Sequence, residues 1–212
     1  MCRLLCVRSD EDFEIEEHLA ALAHIARHSE EYQGHGWGCA WLNDEGRWRL
    51  HHDIAPIWED TRRPSGHTTL LVAHARSAFR DEGIRVENNM PFFDGERVFA
   101  FNGELHGVRI KERGRIGAEK VFNFVKRFDH GDFLQALERG LDALERRTRY
   151  LRAANLVVAD TARRVHYASR FRESPAYFQM HTARKGAAHV LCSEPYRSGT
   201  WTPVENGYTG VL

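Results

Sequence analysis

The sequence predicts an α+β protein in which helices pack on sheets. Three patterns point there: strand-like alternation in the first part of the chain, two stretches of helical spacing in the middle, and alternation again towards the end. The whole of 1–212 is read as one domain, since 212 residues with 42% hydrophobic content suffice for a sizeable core.

Taken in order, Cys2 to Val7 reads as a strand with Cys2, Leu4 and Cys6 on one face, because strand side chains alternate with period two. Ser9-Asp10-Glu11-Asp12 has the form of a capping box. It predicts a helix that carries Ile15, Leu19, Leu22 and Ile25 and ends before Gly34. Cys39 to Leu42 and Arg47 to His52 read as two strands joined by the polar turn Asn43-Asp44-Glu45-Gly46. Thr69 to Ser77 is a further strand, with Leu70, Val72, His74 and Arg76 on one face and Leu71, Ala73 and Ala75 on the other. Arg97 to Phe101 precedes Asn102-Gly103. Two helices follow, one with Val121, Phe122, Val125 and Phe128, the other capped by Asp132 with Leu134, Leu137, Leu141 and Leu144. Asn155 to Ala159, Arg164 to Ser169 and His189 to Cys192 return to strands.

Composition excludes several classes of function. Lys+Arg and Asp+Glu are both 30, so no general basic bias favours nucleic acid. No apolar run is long enough to span a bilayer, and the acidic stretch Ser9 to Glu17 follows Val7 where a secretory signal needs more apolar residues. A cytoplasmic protein that binds neither membrane nor nucleic acid is expected. The four cysteines, Cys2, Cys6, Cys39 and Cys192, show no CxxC spacing, so reduced thiols are expected. His24 and His28 stand at helical spacing and His51-His52 are adjacent, but neither pair has a third ligand at a recognisable spacing, and no metal is expected.

Three features carry chemistry. Cys2 follows Met1 directly, and trimming of Met1 would give a terminal cysteine with a free amine. An α-amine titrates near about 7.7 to 8.0, so it can act as a base towards its own thiol. A cysteine on a strand is otherwise a small hydrophobe. Asn102-Gly103 offers a side-chain amide and a backbone N–H, the donors that acyl transfer needs at a developing oxyanion. The same pair is a leading hairpin signal and, taken alone, predicts a turn after the strand at Arg97 to Phe101. Arg76 projects with His74 near the end of an apolar run and could grip a carboxylate with two parallel hydrogen bonds, or serve as an edge arginine.

The ordered set Met1-Cys2-Arg3-Leu4-Leu5, Gly36-Trp37-Gly38, His74-Ala75-Arg76, Asn88 with Pro91-Phe92, Phe101-Asn102-Gly103 and Glu119 resembles the class II glutamine amidotransferases. These are N-terminal nucleophile hydrolases, and the stand-alone branch with γ-glutamyl amide hydrolases is the nearest in character. The resemblance implies a four-layer αββα sandwich. It implies Cys2 as nucleophile, its α-amine as base, Asn102 and the Gly103 amide as oxyanion hole, and Arg76 as the clamp for the substrate α-carboxylate. His74 and Trp37 are placed beside Arg76 as substrate contacts, no cofactor is implied, and the substrate is a small-molecule amide. A separate synthase chain supplied with ammonia, or a homo-oligomer, is the partner the resemblance allows. A catalytically silent binding or scaffold relative is the alternative.

This chain departs from the family pattern at three places. His35 stands where the family usually has aspartate, and Asn88-Asn89-Met90-Pro91-Phe92 stands for Asn-x-His-Pro-Phe. In Gly114-Arg115-Ile116-Gly117-Ala118-Glu119, Gly117 replaces the aspartate that holds the α-ammonium of glutamine. An unpaired ammonium forfeits a charge-assisted hydrogen bond of about 1.5 to 3 kcal/mol. Amide hydrolysis with altered specificity is therefore expected, with Glu104 or Glu119 as replacement acids if the fold brings them in.

Overall fold

The computed structural model describes residues 1–212. Its strands are β1 (Arg3–Glu14), β2 (Trp37–Leu42), β3 (Trp48–Asp53), β4 (His67–Ala75), β5 (Phe92–Phe93), β6 (Arg97–Val108), β7 (Thr148–Asp160), β8 (Val165–Ala168), β9 (His181–Lys185), β10 (Ala188–Cys192), β11 (Thr202–Pro203) and β12 (Thr209–Val211). Its α-helices are α1 (Ile15–Arg27), α2 (Gly117–Lys126), α3 (Phe133–Arg146) and α4 (Pro175–Phe178). The strands form two antiparallel sheets, one in the order β11-β9-β10-β1-β4-β2-β3 and the other β12-β8-β7-β6-β5.

Strand alternation decides the layers. Along β1, Leu5 and Val7 pack with Ile15, Leu19 and Leu22 of α1 and with Leu71, Ala73 and Ala75 of β4. Leu4 and Cys6, on the opposite face, join Leu70 and Val72 in the core shared with the second sheet. The far face of the second sheet is covered by α2 and α3 through residues such as Val121, Phe122, Leu137 and Leu141. The Phe99 ring of β6 stacks on Phe122 of α2 with centroids 4.6 Å apart. At Gly140 a Cβ would stand 3.1 Å from Val125 Cα, so this glycine sets how closely α2 and α3 approach. The result is the four-layer αββα sandwich: α1, two sheets, then α2 and α3.

Two local expectations change. The first helix begins at Ile15, not after Ser9, because β1 continues to Glu14 and pairs Phe13 and Glu14 with Thr68 and His67 after a register shift. Ser9 Oγ accepts from Glu11 N at 3.1 Å, a local turn contact instead of a helix cap. Asn102-Gly103 is not a hairpin turn. Both residues lie inside β6, opposite Asn155 and Ala154 of β7, so the long-range ladder overrides the local turn preference. Asp132 does cap α3, accepting from Gln135 N at 3.1 Å.

Candidate active site

The two sheets open at one end into a cleft of about 800 Å³ whose walls include Cys2, Arg76, Ser77, Gly103 and Gly117. Cys2 precedes β1 and shares the inner face of its sheet with Leu4 and Cys6. Cys2 is 8% exposed and its thiol packs on the Ser77 backbone, with Ser77 N donating to Sγ at 3.4 Å. Burial pushes the Cys2 thiol up, opposed by the Met1 ammonium, the Ser77 N–H and Arg76. The proton therefore needs a base to leave at neutral pH.

Arg76 follows β4 and is buried, yet its side chain is only loosely engaged. It donates to Asn89 Oδ1 and to the Glu82 carbonyl, each at 3.5 Å, which leaves most of the guanidinium fork free for a ligand. Asn89 is in turn fixed by donating to Asp53 O at 2.7 Å. Gly36, at φ +100°, lets the preceding loop pass there, since a Cβ would collide with the Asn89 side-chain amide. His35 accepts from Ala78 N at 2.9 Å and so ties down the segment after Arg76.

On β6 the stacked Phe99 and Phe101 rings face α2, so Asn102 faces the layer between the sheets, as Cys2 does. Asn102 is 1% exposed, and neither its Oδ1 nor its Nδ2 has a hydrogen-bond partner. Gly103 beside it lies in the cleft wall.

Of the six residues expected at the site, Cys2, Arg76 and Gly103 line the cleft and Asn102 lies behind Gly103. The other two are placed elsewhere. His74 is fully buried between the sheets, and burial together with Arg76 pushes it down to about 3. The Phe101 carbonyl lies beside its ring, but neither nitrogen completes a well-formed hydrogen bond. Trp37 is also fully buried, because its side chain turns to the α1 side of the sheet and donates to Asp60 Oδ2 at 3.1 Å. Neither lines the cleft.

The same Asp60 oxygen binds His51 Nε2 at 2.7 Å, and Asp53 stands close by. Arg62 pairs with both carboxylates, so these acids are already occupied by protein partners. Glu119 is also committed: Arg115 binds it through Nε and Nη2, and it does not line the cleft. Glu104 does line it, as does Glu31, which no sequence pattern singled out.

Residues 1–172 match the family model for class II glutamine amidotransferases. The chain belongs to that family. Curated proteins yield no match. Among solved structures, a glutamine aminotransferase class-II domain protein from Silicibacter pomeroyi superposes with TM-score 0.68 at 16% identity, covering 98% of this chain and 93% of that one. A predicted glutamine amidotransferase from Pseudomonas aeruginosa gives 0.60 at 16%, covering 99% and 98%. The glutamine phosphoribosylpyrophosphate amidotransferase from B. subtilis, complexed with ADP and GMP, gives 0.61 at 16%, covering 90% of this chain and 41% of that longer one. These likenesses concern the fold. At Gly117, in the cleft wall, an added Cβ would have nothing within 4 Å. In this structure no helix is long and apolar enough to cross a membrane.

Proposed function

We propose that this amidotransferase relative hydrolyses the side-chain amide of glutamine or a related γ-glutamyl compound through a thioester on Cys2. The observation that carries the reading is Asn102, a buried amide with no partner on either polar atom, next to a cleft wall that holds a buried thiol and a loosely bonded arginine. A folded chain ordinarily satisfies such a group, and one left idle behind the wall of a cleft is a donor free to serve a ligand.

With Met1 in place the Cys2 nitrogen is an amide and cannot accept a proton. Removal of Met1 makes it an amine. That amine takes the thiol proton, and the sulfur attacks the amide carbon. The C–S bond forms while the carbonyl π pair moves onto oxygen, where Asn102 Nδ2–H and the Gly103 N–H receive the charge. Collapse breaks the C–N bond, the leaving nitrogen takes the proton from the Cys2 ammonium, and the free amine departs. Water then gives a proton to the Cys2 amine and attacks the thioester, and C–S cleavage returns the thiol and a carboxylic acid. Arg76 grips the α-carboxylate and fixes the acyl carbon against sulfur.

The test is release of ammonia or amine from glutamine and other γ-glutamyl amides by the wild type and by Cys2→Ala. Cys2→Ala is expected to abolish release. Equal rates would overturn the mechanism.

A further inference from the structure

We propose that Glu31 is the ammonium acceptor of this cleft. The proposal rests on the amide-hydrolysis reading above and adds to it the residue that recognises the α-amine of the substrate.

Glu31 already holds an ammonium. The N-terminal nitrogen of Met1 pairs with Glu31 Oε2, and Met1, Glu31 and Cys2 all line the cleft. The Met1 carbonyl is also gripped, accepting from the Gln33 amide and from Tyr177 Oη. An α-aminoacyl group thus occupies a set of matched partners adjoining the nucleophile. Loss of Met1 takes the Met1 cation from Glu31 and one acceptor from Gln33 and Tyr177, while Gln33 still donates to the Glu31 carbonyl at 2.8 Å and to Tyr177 Oη at 3.0 Å. Gln33 is fully buried, and its Oε1 is unpartnered even with Met1 present.

The charge around Glu31 favours a cation. Arg152 is shared by Glu31 at 3.2 Å, Glu104 at 3.0 Å and Glu173 at 3.8 Å, so three carboxylates face one guanidinium. The α2 end of the cleft has the opposite character. Arg115 and Lys120 line it beside the positive end of the helix, and Glu119 there is bound by Arg115. An ammonium entering the cleft finds an excess of carboxylate at Glu31 and Glu104, which share Arg152 with Glu173 while His106 also bonds Glu104, and none at Gly117.

The test compares glutamine with glutaramate, the same chain without the α-amine, using ammonia release by the wild type and by Glu31→Gln. Glu31→Gln is expected to raise KM for glutamine about tenfold with kcat little changed, and to leave glutaramate kinetics unaltered. Glu31→Asp, which keeps the charge, should recover part of the loss. In parallel, L-glutamate binding to Cys2→Ala, measured by calorimetry, should weaken about tenfold when Glu31→Gln is added. Equal losses on both substrates would overturn the proposal, since Glu31 would then act on the Cys2 terminus or on the fold. So would unchanged glutamine kinetics or unchanged glutamate binding. Failure of the wild type to release ammonia from either substrate would instead refute the hydrolytic reading, leaving the binding arm to judge Glu31.

Discussion

Replacing Asn102 with leucine is expected to stabilise the protein while removing most of its activity. Asn102 is 1% exposed and leaves both amide atoms unpaired. A buried polar group without a partner costs about 1 to 3 kcal/mol. Leucine has a similar size and no polar atom, and the adjoining Ala100 and Phe101 belong to the apolar core. Removing that cost should raise Tm by about 2 to 4 °C per kcal/mol in a chain of this size. Loss of one oxyanion donor lowers kcat by about 10² to 10³. Scanning calorimetry measures the first effect, and ammonia release from glutamine the second. A fall in Tm with hydrolysis intact would refute the reasoning, because Asn102 would then be a structural amide with no part in catalysis.

Two further outcomes follow from the same structure. Gly117→Asp should stabilise the protein by about 1 kcal/mol, through a less flexible unfolded chain and a carboxylate in the first turn of α2, where the added Cβ meets nothing; a lower Tm in thermal unfolding would contradict this. Burial first, aided by Arg197, holds His18 down at about 4 against an ordinary 6.5, so the unfolded state binds a proton that the native state refuses. Stability is then complete above about pH 6.5 and declines as pH falls towards 4, with His74, held at about 3, acting in the same sense. Urea midpoints between pH 7 and 4 measure the decline, and a flat profile would contradict it.

Much of this architecture is legible in the sequence because its signals are periodic. Alternation in β4 separates Leu71, Ala73 and Ala75, which face α1, from Leu70 and Val72, which face the second sheet, and the structure keeps that division. Asp132 announces α3 for a reason equally local. Asn102-Gly103 is less easily read. Its turn preference is local, whereas the twelve-residue strand that contains it is held by pairing with residues far along the chain. Short edge strands such as β5, β11 and β12 depend on that kind of pairing and leave no periodic trace. Strand periodicity also puts His74 and Arg76 on one face, but not at one depth: the cleft opens only past the end of β4, so Arg76 reaches it and His74 stays between the sheets. Glu31 lies in a loop with no motif, and its place beside Met1 arises only when the chain is folded.

The most direct test is to treat the protein, purified with its mature terminus, with a thiol-reactive glutamine analogue and to map the modified peptide by mass spectrometry. Cys6, Cys39 and Cys192 are buried with their thiols pushed up, Cys192 to about 12, and unlike Cys2 none of them lines the cleft, so they should stay unlabelled. The account predicts one label per chain, on a Cys2 that has lost Met1, with glutamine protecting it and hydrolysis lost in step. A chain that still begins with Met1 and leaves Cys2 unlabelled, or one that hydrolyses amides with Cys2 fully blocked, would contradict it.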